Sequence, residues 1–355
     1  MKIVFTGGGT SGHVTPNIAL FEPLKKEGFE LFYIGTQKGI ENNLIKEENI
    51  PFYEIEAGKL RRYIDMENVK DVGRIMKGTV QARKILKEIK PDVIFSKGGF
   101  VSCPVVWAAK SLKIPVIIHE SDITPGLANK LSIPSADKVC CAFPETKKYL
   151  PEGKSVYTGL PVREEILSGD AKKGESLCGF DGTKPTLLVM GGSLGSEFLN
   201  TMVRANLESL TEIFDICHLC GKGHIDESLL NIKGYCQFEY LNHELKDVMA
   251  MADMVVSRAG ATAIFEILEL KKPALLIPLS RKASRGDQID NSKSFKAQGF
   301  CEYAEEENLT GEIFVNMVKE IFVNKDKYIE CQKNAEIGNS IETIVNLLKE
   351  TAERK

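Results

Sequence analysis

The chain has 355 residues, 43% hydrophobic and 27% charged, long enough for two domains and apolar enough to bury a large core. Its 46 Lys and Arg against 49 Asp and Glu leave a net charge of -3, without the basic excess that nonspecific nucleic-acid binding needs, so no nucleic-acid partner is expected. No apolar run approaches the ~20 residues that span a bilayer, and the opening residues read as a first strand and not a signal sequence, which points to a cytoplasmic protein.

In chain order, KIVFT, LFYIG, DVIFS, PVIIHE and DKVCCAF predict strands, separated by helical patterns such as Thr15–Glu27 and Val69–Ile89. TGLPVR (Thr158–Arg163) and the polar, glycine-bearing stretch Ser168–Lys184 read as a linker. The rhythm restarts with TLLVM, DICHL, YCQFEY, DMVVS and PALLIPL, each trailed by a helical stretch. Such alternation predicts two α/β domains with parallel sheets facing a cleft, and ligands at the carboxyl ends of the strands.

Each half opens with a strand feeding a glycine turn. Gly7, Gly9 and Gly12 satisfy GxGxxG, where missing side chains let backbone N–H groups approach a phosphate. A dinucleotide site should also have an acidic residue after the second strand, yet LFYIG continues as Thr36, Gln37 and Lys38, which removes support for NAD. Gly98 and Gly99 follow another strand, and GGSLGS (Gly191–Ser196) opens the second half. Any one of these turns can be merely structural; together they favour binding.

His13 follows the first turn, where an imidazole is suited to accept a proton from a sugar hydroxyl, although an isolated histidine is more often structural. In SRAGATAIFE, Ser257 and Arg258 end a strand, and Glu266 sits among apolar neighbours that make a buried carboxylate in need of a partner such as a ribose diol. PLSRKASRGDQIDN then clusters Arg281, Lys282, Arg285, Asp287, Gln288 and Asn291 after a strand, where loops carry specificity.

Nine scattered cysteines form no framework and read as reduced thiols. Cys217 and Cys220 make a CxxC near His218, His224 and Cys236, but in a strand neighbouring ligands point to opposite faces, so no metal is expected. No Asp-x-Asp pair occurs either, which weakens a metal-bridged diphosphate.

GGGTSGHVTP, KGGFVSCP, IHESDITPGLANK, GLPVREE, GGSLGS, SRAGATAIFE and LSRKASRGDQIDN, in that order, make the sequence similar to the MurG-type glycosyltransferases (glycosyltransferase family 28) of cell-wall synthesis. These transfer N-acetylglucosamine from UDP-GlcNAc to undecaprenyl-pyrophosphoryl-muramyl-pentapeptide. The resemblance implies the GT-B fold, with residues 1–160 as acceptor- and membrane-binding domain, 161–337 as UDP-sugar domain, and a C-terminal helix near 338–355 packing back on the first. It implies Arg163, Ser193, Glu266, Asp287 and Gln288 on the donor side; Thr10, Gly12, Gly98, Gly99 and Asp122 in acceptor or phosphate loops; and His13, with Glu120 as runner-up, in catalysis. It implies no cofactor, and as further partners other cell-wall synthesis proteins. Departures from the family pattern, at Ser11, Phe100 and the Ser121–Asp122 pair, all fall on the acceptor side. A UDP-sugar epimerase and a noncatalytic UDP-sugar sensor are the alternatives.

The reaction so implied is an inverting attack of the acceptor 4-hydroxyl on the anomeric carbon. Between Lys59 and Lys90, ten basic and four acidic residues are interleaved with Leu60, Tyr63, Ile64, Ile75, Met76 and Val80, a pattern suited to an anionic membrane surface. A peripheral position on the cytoplasmic face of the cell membrane follows.

Overall fold

The computed structural model describes residues 1–58, 66–192, 194–335 and 339–354; Lys59 to Asp65, with Leu60, Tyr63 and Ile64, and also Ser193, lie outside them. The chain divides into two compact units, Met1–Arg163 with Ile337–Lys355, and Glu164–Glu336.

In the first unit, β1 (Lys2–Thr6), β2 (Glu30–Gly35), β3 (Phe52–Glu54), β4 (Val93–Ser96), β5 (Val116–Glu120), β6 (Lys138–Cys141) and β7 (Ser155–Tyr157) form a parallel sheet in the order β3-β2-β1-β4-β5-β6-β7. Alternation divides β1 between two cores. Ile3 and Phe5 face one side with Phe21, Leu24 and Phe95, while Val4 faces the other with Ala82, Leu86 and Val105. The helix Ser340–Glu353 adds Ile344, Val345 and Leu348 to the Phe5 side, and Ser340 Oγ donates to Leu160 O at 3.1 Å.

In the second unit, β8 (Thr186–Met190), β9 (Asp215–Leu219), β10 (Tyr235–Phe238), β11 (Met254–Ser257), β12 (Ala274–Leu276) and β13 (Glu302–Tyr303) repeat the scheme as β10-β9-β8-β11-β12-β13. Both sheets reverse direction once, between β1 and β4 and between β8 and β11. In doubly wound sheets, that reversal opens a crevice at the carboxyl ends of the two central strands. The glycine turns all stand there.

Three sequence readings are corrected. The helical pattern Thr15–Glu27 is two helices, Thr15–Ile18 and Phe21–Lys26, because Pro23 has no N–H for the Ala19 carbonyl one turn back. The stretch Ser168–Lys184 is no plain linker: it holds the helix Ala171–Cys178, capped by Asp170, whose side chain accepts from Lys172 N at 3.0 Å. Gly174 within it marks close packing, since a Cβ there would stand 2.5 Å from Asp247 O. Finally, β3 (FYE), β7 (SVY) and β13 (EY) went unread because two or three residues display no period and, unlike the equally short β12 within PALLIPL, they lie in no apolar run.

Candidate active site

At the first reversal, the turns after β1 and β4 lie against one another. Gly99 has φ +83°, and a Cβ on it would stand 2.1 Å from Gly8 O, so only glycine permits this approach. The Phe100 ring covers Gly9. Beneath the first turn, the fully buried Glu41 carboxylate accepts from Gly9 N at 3.2 Å, Thr36 N at 3.0 Å and Thr36 Oγ1 at 2.6 Å. Buried Tyr33 donates its hydroxyl to Gly7 O at 2.7 Å and accepts from Asn17 Nδ2 at 3.2 Å. Two side chains of β2 and its following helix thus hold the β1 turn from below.

His13 ends a short 3-10 turn, Ser11–His13, anchored by its own N–H to Thr10 O at 3.1 Å. Its Nδ1 lies 3.1 Å from Lys97 O. A carbonyl oxygen only accepts, so Nδ1 carries the hydrogen and Nε2 is the basic nitrogen of the neutral ring.

Lys97 itself is fully buried at the end of β4. Its Nζ donates to His119 Nδ1 at 3.0 Å and to Ser121 Oγ, while His119 Nε2 donates to Gly159 O at 2.9 Å. Burial pushes the ammonium down to about 8, against the opposing pull of Glu120 and Asp122. Burial and the Lys97 charge together hold His119 well below its ordinary range, so it stays neutral.

Glu120 is only 4% exposed and its carboxylate accepts three bonds, from Asp122 N (3.0 Å), Gly126 N (3.0 Å) and Asn129 Nδ2 (2.8 Å). These bonds close the loop after β5 and set Asp122 at its start. Thr10, Gly12, His13, Gly98, Gly99, Glu120 and Asp122 therefore converge at the carboxyl ends of three adjacent strands, β1, β4 and β5. Beside them, a cavity of about 620 Å³ is lined by Gly9, Phe100, Thr36 to Ile40, Ile55 to Ala57 and Arg74.

At the second reversal, Gly191 and Gly192 follow β8, and Ser196 caps the helix Glu197–Ala205 by accepting from Leu199 N at 3.2 Å. Gly195 packs backbone to backbone on Gly221: a Cβ on Gly195 would stand 2.2 Å from Cys220 O. Arg258, after β11, points to structure and not ligand. Its guanidinium donates to Ser196 Oγ (2.6 Å), Ile277 O (3.0 Å) and Pro278 O (3.2 Å), and pairs with Glu306 at 2.5 Å.

The neighbouring helix Ala261–Glu269 begins at Gly260 and carries Glu266, 7% exposed, in its second turn. Gln288, on the helix Asp287–Ala297, accepts from Leu279 N at 3.0 Å through Oε1, which leaves the Nε2 hydrogens as the donors it can offer a ligand. Asp287 begins that helix and lies 3.4 Å from Arg285 Nε. Half-buried Arg163 is the last residue of the first unit's main segment.

Sequence reasoning missed Glu41 and Lys97. Glu41 sat in the unremarkable helix IENNLIKE, and only its distance of 32 residues from Gly9 in the chain hid the contact. Lys97 had a signal, a charged residue ending the apolar run VIFS directly before two glycines, which a buried strand end seldom carries without function.

Residues 3–141 match the glycosyltransferase family 28 N-terminal domain and residues 186–348 its C-terminal domain. The chain is 53% identical over 348 residues to the UDP-N-acetylglucosamine–N-acetylmuramyl-(pentapeptide) pyrophosphoryl-undecaprenol N-acetylglucosamine transferase of Clostridium tetani, covering 98% of this chain and 97% of that protein. It is 52% identical over 351 residues to the enzyme of the same name from Lachnospira eligens, covering 99% of each. Among solved structures, MurG of Acinetobacter baumannii superposes with a TM-score of 0.75 at 25% identity, covering 98% of this chain and 99% of that one. With two Rossmann-like parallel sheets, glycine turns at both reversals and these matches along its length, the chain belongs to glycosyltransferase family 28.

Proposed function

We propose that the chain moves N-acetylglucosamine from UDP-GlcNAc to the 4-hydroxyl of a lipid-linked N-acetylmuramyl pentapeptide, a step of peptidoglycan synthesis. The observation that carries this reading is the match, at about half identity and over nearly the whole chain, to transferases named for that reaction. It disfavours the epimerase and sensor alternatives. The site supplies the parts such a transfer needs.

In this mechanism the acceptor hydroxyl attacks the anomeric carbon from the face opposite UDP. His13 Nε2 takes the hydroxyl proton as the new C–O bond forms, because its other nitrogen is committed to the Lys97 carbonyl. The bond from the anomeric carbon to the diphosphate breaks, and UDP leaves with the electron pair. Backbone N–H groups of the Gly191 turn and of the helix N-terminus at Gly260, with Arg163, stabilise the developing charge. Glu266 receives the ribose hydroxyls and Gln288 the sugar hydroxyls, with Asp287 beside it. Glu120, whose oxygens are engaged by three donors, acts as a positioning residue for the Asp122 loop.

The acceptor's diphosphate and sugar fit the cavity that runs from Gly9 and Phe100 to Arg74. Arg74 lies on the helix Met66–Ile89, which also exposes Val72 (51%), Met76 (67%) and Val80 (70%), spaced one turn apart. This row, with exposed Arg83, Lys84 and Lys87, is the surface we assign to the membrane. Among the described residues no helix is long and apolar enough to cross a bilayer. Ile75, expected on this face, is instead 5% exposed, since it falls on the core-facing side of the helix; Val72 takes its place.

The test is transfer of radiolabel from UDP-GlcNAc to a short-chain lipid-linked muramyl pentapeptide. Label released as free sugar or recovered in an epimer, with none in lipid, would overturn the reading. For the membrane surface, cosedimentation with vesicles containing anionic lipid should weaken at high salt and in a Met76→Glu, Val80→Glu double variant.

A further inference from the structure

The CxxC of Cys217 and Cys220 does not act as a unit. Cys217 lies inside β9, whereas Cys220 lies beyond its end and donates its thiol to Phe238 O at 3.3 Å. Cys217 is instead in register with Cys236 of the parallel neighbour β10, so both side chains point to the same face of the sheet. Cys178, the last residue of the helix Ala171–Cys178, reaches over that face. The three sulfurs lie within 4.8 Å of one another.

Three elements remote in sequence thus bring only sulfur to one point. Three thiolates holding a single cation at ~2.3 Å stand about 4 Å apart, so the cluster needs a contraction of under roughly 1 Å, within reach of small χ1 adjustments. Thiolate donors select soft cations. Cys178 also ends a helix that closes on Gly179 at φ +72°, and the partial negative charge of a helix C-terminus favours a cation there. Cys217 is buried while Cys178 and Cys236 are half-buried, which leaves the ion an approach from solvent.

We propose that Cys178, Cys217 and Cys236 form a three-thiolate site for one thiophilic d10 cation of the Zn²⁺, Cd²⁺ or Cu⁺ class, separate from the β8 and β11 strand ends where the sugar nucleotide is assigned. The cation enters, the thiol protons leave to solvent, and no oxidation state changes. Bound there, it clamps the helix Ala171–Cys178 to β10, an edge strand of the second sheet.

Titrating the full, reduced chain with Cd²⁺ without oxygen tests this through the ultraviolet charge-transfer band of cadmium thiolate. The band should saturate at one ion per chain, Tm should rise, and Zn²⁺ should compete. Cys178→Ser and Cys236→Ser, both at half-buried positions, should lose the band while keeping the wild-type circular dichroism; Cys220→Ser should keep the band. No band, or a band that persists in either of the first two variants, would reduce the cluster to packing and overturn the proposal. Because the readout is spectroscopic, transferase activity has no bearing on it.

Discussion

The two glycine turns occupy equivalent places, each at the carboxyl end of the central strand beside a reversal in strand order, yet they are held in different ways. The turn after β1 rests on the buried side chains of Glu41 and Tyr33 and ends at His13, whose Nδ1 meets the backbone carbonyl of buried Lys97. The turn after β8 rests on glycine backbone and on Arg258, whose charge is consumed by carbonyls and Glu306. Buried titratable groups tune proton transfer, whereas a neutralised bracket leaves backbone N–H groups to face an anion. In the proposed mechanism, one strand-turn-helix plan serves acid-base chemistry in the first unit and phosphate binding in the second.

Removing the proposed base would break this contrast most sharply. His13→Ala should lower kcat by roughly 100-fold or more while UDP affinity stays near wild type. Turnover close to normal would move the proton to Glu120 or water. Next in size is the support beneath each turn: Glu41→Ala leaves the Gly9 and Thr36 N–H groups without their carboxylate, at a cost of about 3 kcal/mol in urea unfolding. Ser196→Ala, which removes a cap, should cost only about 1–2 kcal/mol. Equal losses would mean that the two turns are supported alike.

How much of this was legible in the sequence follows from range. Strands such as VIFS and MVVS declare themselves by apolar runs, and the glycines by following them, since both signals lie within a few residues. Glu41 and Lys97 gained their roles from residues 32 and 22 positions away, in Gly9 and His119, and no local pattern encodes such contacts. Arg258 was legible only as a cation at a strand end; its partners, Ser196 and Glu306, arrive from distant segments. The helix Ala171–Cys178 hid for the opposite reason, its Gly174 selected by packing and not by a turn.

Donor variants sharpen the second half of the comparison. Glu266→Ala should weaken UDP and UDP-GlcNAc alike, by about 1–3 kcal/mol for buried hydrogen bonds. Gln288→Ala should affect UDP-GlcNAc far more than UDP, and equal losses by calorimetry would contradict a sugar contact. Neither change should alter the pH profile, since both lie in the unit without the buried lysine.

The smallest effect, about twofold at pH 8, concerns that lysine. With its ammonium pushed down to about 8 by burial, Lys97 is charged below that pH and loses its proton above it. If the charged form orders His119, Ser121 and the neighbouring carboxylates for acceptor binding, kcat/KM for the acceptor should fall to about half its plateau near pH 8 and to roughly a tenth near pH 9. Stability moves the other way. The folded value lies below the ordinary 10.5, so between the two the unfolded chain binds more protons and stability rises with pH across that window. Measured against Lys97→Met, in which the local charge is absent at every pH, wild type should lose activity and gain relative stability over the same interval. A Lys97→Met profile with the same basic limb as wild type would assign that limb to another group and leave Lys97 a packing role.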